Sequence, residues 1–148
     1  MIEISFHVNV ADKLTYGCRL LRKAYASGAK VAVTAEREVL QQLDELIWRF
    51  SPTDFIPHCT LGASGESRQT FTPVLLTEQP ADCSHHEVLI NLGLGIPPGF
   101  ENFERLIEVV AVDQQELLAG RQRWKQYVGL GHALKKHDRS PSAMGSPS

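Results

Sequence analysis

Ile2-Glu3-Ile4-Ser5-Phe6-His7-Val8-Asn9, followed by Asp12 to Gly28 and then Lys30-Val31-Ala32-Val33-Thr34, is the stretch that decides the fold. Its first part alternates, so Ile2, Ile4, Phe6 and Val8 point to one face of a strand. Asp12 then opens a helix whose apolar stripe is Leu14, Cys18, Leu21 and Tyr25. Those spacings of four, three and four put one face on a core, and Gly28 ends the helix in the backbone conformation glycine tolerates best. Residues 30–34 form a short apolar strand, and Thr34 is placed to cap a second helix. That helix carries Val39, Leu43, Leu46 and Ile47 on one face, has acids in its first turn, and stops by Pro52.

Working outward, residues 55–58 and 60–61 read as extended, and 62–69 as a polar loop. Residues 73–76 and 87–92 are short apolar strands. Phe100 to Arg105 forms one or two helical turns, and residues 106–112 are a further apolar strand. Asp113 with Glu116 reads as a capping box that starts the last helix. Strand, helix, strand, helix, and later strand, helix is the order of an α/β domain, with a mostly parallel sheet covered by helices on both faces. At 148 residues the chain is one three-layer domain over 1–134. From Lys135 to Ser148 nothing is available to bury, which predicts an unstructured tail.

The bulk chemistry excludes several classes. Net charge is -2, without the basic stripe that phosphate neutralisation demands, so strong direct binding to nucleic acid is not expected. No apolar run approaches the roughly 20 residues that cross a bilayer, and the first residues lack the character of a signal peptide. Cys18, Cys59 and Cys83 are an odd, sparse set, which favours a reducing cytoplasm over a disulfide framework.

Catalytic and ligand motifs are weak. Gly93-Leu94-Gly95-Ile96-Pro97-Pro98-Gly99 follows a strand and invites a phosphate-binding reading, but Pro97 and Pro98 remove N–H groups that a phosphate would need. His58-Cys59 and Cys83-Ser84-His85-His86 hold zinc-ligand types without zinc spacing, so no metal or other cofactor is expected. Carboxylate pairs lie on amphipathic helices or loops, without an apolar setting that would raise a pKa. A binding module, rather than an enzyme, is the better fit. The rival is a small Rossmann-like nucleotide- or ligand-binding enzyme using the Gly93–Gly99 turn.

The last helix carries the one unusual pattern. Leu117, Leu118, Trp124, Tyr127 and Val128 fall on one arc, opposite the glutamines, Ala119 and Arg123. Arg121 and Lys125 fall inside the apolar arc. They either snorkel at the edge of a core helix or, with Trp124, cradle a ligand both anionic and apolar. A peptide ending in an aromatic residue and a free carboxylate has that chemistry.

Several segments taken together resemble the chi subunit family of bacterial DNA polymerase III. They are residues 43–48 (Leu43 to Trp48), 55–58 (Phe55, Ile56, Pro57, His58) and 121–127 (Arg121 to Tyr127), with Ser5-Phe6-His7-Val8 and the link from Ser27 to Val31. The resemblance runs from the N-terminus to about residue 134. It implies a Rossmann-like fold without a nucleotide site, and a non-catalytic adaptor of the clamp-loader complex in DNA replication. It further implies two protein partners, with DNA contacted only indirectly. The acidic, Phe-terminated tail of single-stranded DNA-binding protein would meet Val110, Arg121, Trp124 and Lys125. The psi subunit would meet Trp48, Phe55, Pro57 and His58, unless Phe55 is a core residue. Leu117 stands where the family pattern has a lysine, and Trp124 where it has a tyrosine.

Overall fold

The computed structural model describes residues 2–50, 58–60, 73–80 and 85–139. Strand β1 (Glu3–Val10) is followed by helix α1 (Lys13–Ala26), β2 (Val31–Thr34), α2 (Arg37–Phe50), β3 (His58–Thr60), β4 (Val74–Thr77) and β5 (Val88–Asn91). A 3₁₀ turn (Phe100–Asn102), β6 (Arg105–Ala111), α3 (Gln114–Gly129) and β7 (Leu134–Asp138) complete the order. The strands form one seven-stranded sheet in the order β3-β4-β2-β5-β6-β1-β7. Every pairing is parallel, so the mostly parallel sheet expected from the sequence is wholly so among the described residues.

Strands β2, β4 and β5 are buried at every position. That is the pattern of central parallel strands covered on both faces, and it explains why they read as unbroken apolar runs. On one face Val31, Val33, Val74, Leu76 and Ile90 join Cys18 and Leu21 of α1 and Leu40, Leu43 and Ile47 of α2 in a single core. On the other, Ile4, Phe6, Leu89, Leu106 and Val110 pack with Phe100, Phe103 and Tyr127. Alternation along β1 thus sends Ile4 and Phe6 to the second core, while His7 faces α1 and meets Tyr16.

Helix α1 begins as expected: the Asp12 side chain accepts from the Thr15 N–H, and Gly28 adopts φ +91° just beyond the helix. Helix α2 begins differently. Thr34 is the last residue of β2, where its carbonyl accepts from Leu92 N–H at 2.9 Å. The helix starts at Arg37, with the Leu40 N–H donating to Glu36 O. The sheet has claimed the backbone of Thr34, so it does not cap α2. Pro52, expected near the helix end, lies outside the described residues.

The larger correction is at the other end of the chain. Residues 135–138, assigned from composition to an unstructured tail, belong to β7, which pairs with β1 from Ile4↔Leu134 to Val8↔Asp138. Arg139 N–H then donates to Val8 O at 2.8 Å. The outer edge of β1 presents unpaired N–H and C=O groups, and a strand can satisfy them through its backbone alone. Its side chains need no core: Lys135 Nζ meets Glu3 Oε1 at 2.8 Å on the surface. Residues 140–148 lie outside the described residues.

Candidate functional site

Helix α3 lies over β6 and β1, and its rotation is set by a buried polar cluster. Glu108, in the middle of β6, is fully buried. Its carboxylate accepts from Arg123 Nε at 2.9 Å, Tyr127 OH at 2.5 Å and Asn91 Nδ2 at 2.9 Å. Burial pushes the Glu108 carboxyl up from its ordinary range, while Arg123 and the donors from Tyr127, Asn91 and Arg123 pull it back down. The Tyr127 hydroxyl is raised first by its own burial and then by the neighbouring carboxylate. Arg123 Nη1 continues to Leu94 O, and Arg123 Nη2 is buried without a hydrogen-bond partner among the described residues.

The residues α3 turns to the sheet are therefore Glu116, Gly120, Arg123 and Tyr127. This overturns the expectation that Arg123 lies opposite the packed face, and it gives one carboxylate outside any carboxylate pair, Glu108, a buried setting. The capping box is also only half formed. Asp113 accepts from the Glu116 N–H at 2.8 Å, but the Glu116 carboxylate accepts from Ala111 N–H and pairs with Lys13 Nζ at 2.6 Å. Glu108 is the lone charge within the run 106–112, and that was the available sequence signal for the cluster.

With this stripe inward, Tyr127 of the apolar arc packs on the sheet, and the rest of the arc lies beside the core or in the open. Leu118 and Val128 are 52% exposed, and Leu117 and Trp124 are partly buried. Beside this arc lies a groove of about 370 Å³, lined by Phe6, Val8, Asn9, Val110, Leu117, Gly120, Arg121, Trp124, Lys125 and Lys136. Gly120 lets α3 approach β6, since a Cβ there would stand 3.0 Å from Val110 Cγ2. Trp124 meets Phe6 edge-on at 5.0 Å between ring centroids, forming an aromatic corner. Arg121 and Lys125, four residues apart and hence neighbours on one face, are both exposed. Among the described residues no carboxylate lines the groove.

The structure thus brings Val110, Arg121, Trp124 and Lys125 together in one groove. The residues that sequence reasoning missed there are Phe6, Val8, Asn9, Gly120 and Lys136. Most come from β1 and β7, far from α3 in the chain, and only the sheet order unites them. The second predicted set is scattered in what the structure describes. Trp48, in the last turn of α2, is 54% exposed, and His58 opens β3. Phe55 and Pro57 lie outside the described residues. Strands β3 and β7 are the first and last in the sheet, so His58 and the groove belong to opposite edges.

Three polar groups of the Gly93–Gly99 turn are bonded within the protein: Gly93 N–H donates to Asn91 Oδ1, and the Leu94 and Gly95 carbonyls accept from Arg123 and Asn91. Among the described residues no group of three or more His, Cys, Asp or Glu side chains could hold a metal ion. Cys59 has no described side chain and Cys83 lies outside the described residues.

Residues 1–135 match the protein family described as the DNA polymerase III chi subunit, HolC. The chain is 30% identical over 142 residues to the DNA polymerase III subunit chi of Pseudomonas aeruginosa, covering 93% of this chain and 96% of that protein. It is 32% identical over 111 residues to the DNA polymerase III subunit chi of Haemophilus influenzae, covering 74% of this chain and 75% of that protein.

Proposed function

Because the chain belongs to the DNA polymerase III chi subunit family, we propose that its α3 groove receives the acidic, Phe-terminated tail of single-stranded DNA-binding protein. The observation that carries this reading is the lining itself: among the described residues, an aromatic and aliphatic floor with three cations and no carboxylate. Such a site suits a terminal ring beside a terminal carboxylate. The ring enters against Trp124, Phe6 and Val110, and the Arg121 guanidinium grips the carboxylate through charge-assisted hydrogen bonds. Lys125 meets acidic residues upstream.

The chain acts as an accessory subunit of the polymerase holoenzyme in DNA replication, contributing binding rather than catalysis. The surface from Trp48 to His58 contacts the psi subunit, so the domain links the clamp loader to single-stranded DNA-binding protein. Contact with DNA is indirect, in keeping with a net charge of -2. Its compartment is the cytoplasm. Among the described residues no helix is long and apolar enough to cross a membrane.

The test is a calorimetric titration of the full chain with an acidic peptide ending in Phe, free or amidated at its C-terminus. A charge-assisted contact contributes about 1.5–3 kcal/mol, roughly ten- to hundredfold in affinity. Arg121→Ala and amidation should each cost about that factor, and the two losses should not add, because both break the same contact. Indifference to amidation, or additive losses, would mean that the tail docks elsewhere.

A further inference from the structure

Lys136 owes its place in the groove to the register of an edge strand. Phe6 pairs with Lys136, and Ile4 with Leu134, so Lys136 stands on the same face as Phe6. Its neighbours in the chain face the other way: Lys135 meets Glu3, and the His137 ring lies 4.9 Å from the ring of His7. The groove therefore has β1 as its floor, through Phe6 and Val8, and α3 as one wall, through Leu117, Arg121, Trp124 and Lys125. Strand β7 stands on the opposite side.

The heights of the cations differ along this groove. Trp124 touches Phe6, so Lys125, the next residue, sits near the level of Phe6. Lys136 is at that level by register, and both lysines line the groove. Arg121 is one helical turn away, toward the Val8 end. At that end of β7 the Asp138 carboxylate accepts from Asn9 Nδ2 at 3.0 Å, so the cation that β7 supplies on this face is Lys136, at the level of Phe6.

We propose that β7 is the second wall of this ligand groove, and that Lys136 recognises the acidic residues just upstream of the ligand's C-terminal aromatic residue. The inference rests on the reading of the groove as the site of an acidic, aromatic-ended peptide. It adds a direction: the carboxylate end lies at Arg121, and the chain leaves between Lys125 and Lys136. An acidic segment there meets cations from both sides, whereas α3 alone would offer a one-sided shelf.

Two peptides ending in Phe test this against the full-length protein, one with acidic residues before the ring and one with the corresponding amides. Lys136→Ala should weaken the acidic peptide by roughly two- to fivefold, the range of an exposed ion pair. Lys136→Glu should weaken it further, and Lys136→Arg should restore binding. The amide peptide should bind wild type and Lys136→Ala alike, while Arg121→Ala should weaken both peptides. If Lys136→Ala binds the acidic peptide as wild type does while Arg121→Ala does not, the second wall is wrong and the groove reading survives. If wild type binds neither peptide, both fall. Equal losses of the two peptides on Lys136→Ala would also overturn the proposal, because the acids would then not be what Lys136 senses.

Discussion

Helices α1 and α3 cover opposite faces of the same sheet with stripes at the same spacing, yet the stripes differ in chemistry. In α1 the stripe is Leu14, Cys18, Leu21 and Tyr25, with Cys18 and Leu21 fully buried and the flanking pair packed beside the core. In α3 it is Glu116, Gly120, Arg123 and Tyr127. The apolar face of α1 points at the sheet, whereas the apolar arc of α3 is divided: Tyr127 is buried on the sheet, Leu117 and Trp124 line the groove, and Leu118 and Val128 are exposed. A helix can turn a charged stripe inward only where the sheet supplies matched partners, and Glu108 with Asn91 supplies them. That rotation leaves Leu118 and Val128 of the apolar arc exposed. An amphipathic pattern therefore does not say by itself which stripe of a helix its own sheet will bury.

The contrast can be broken most forcefully at its polar side. Arg123→Met would leave the Glu108 carboxylate buried without its cation, which typically costs about 3–5 kcal/mol. Urea denaturation should show that loss, and Glu108→Gln added to the same chain should recover part of it. If the single variant is as stable as wild type, the ion pair does not set the rotation of α3.

The apolar stripes offer a second comparison. Leu21→Ala in α1 should cost about 2–5 kcal/mol as a core truncation. Leu118→Ala in the apolar arc of α3 should stay within about 0.5 kcal/mol. Equal losses in thermal or urea melts would mean that the arc of α3 is packed like that of α1.

The smallest effect concerns His7, on the α1 side of β1. Burial is the largest cause that lowers its pKa from 6.5 to about 4, followed by Arg139, His137 and Lys23. The Tyr16 hydroxyl bonds its Nδ1. A histidine held neutral in the fold but free to charge when unfolded stabilises the protein above its unfolded pKa. That contribution fades as pH falls from 6.5 towards 4. The slope is at most about 1.4 kcal/mol per pH unit, less at a site that retains some water. Melting curves of wild type and His7→Gln across this window should diverge less at low pH than at neutral pH. A constant difference would show that His7 does not titrate with folding.

Much of the candidate site was legible because its key residues share one helix. Arg121, Trp124 and Lys125 lie within about a turn and a half of each other, and their proximity follows from helical geometry alone. Phe6 and Val8 were legible as one face of a strand, but not as the floor beneath that helix. Lys136 was illegible: Lys135-Lys136-His137-Asp138 has neither apolar period nor turn signal, because an edge strand wet on both faces is held by its backbone.

What the sequence by itself determined was local: strand β1 from its alternation, α1 and its cap from Asp12 and a four-three-four stripe, the buried central strands from their unbroken apolar runs, and the cations beside Trp124. Those features follow from the two periodicities of the backbone and need no distant partner. The tertiary structure decided the sheet order, the face α3 turns inward, the pairing of Glu108 with Arg123 and the recruitment of β7. Each depends on groups remote in the chain or facing it across the sheet. Burial of a charge is tolerable only once its partner has arrived, and an edge strand forms only once an edge exists to receive it.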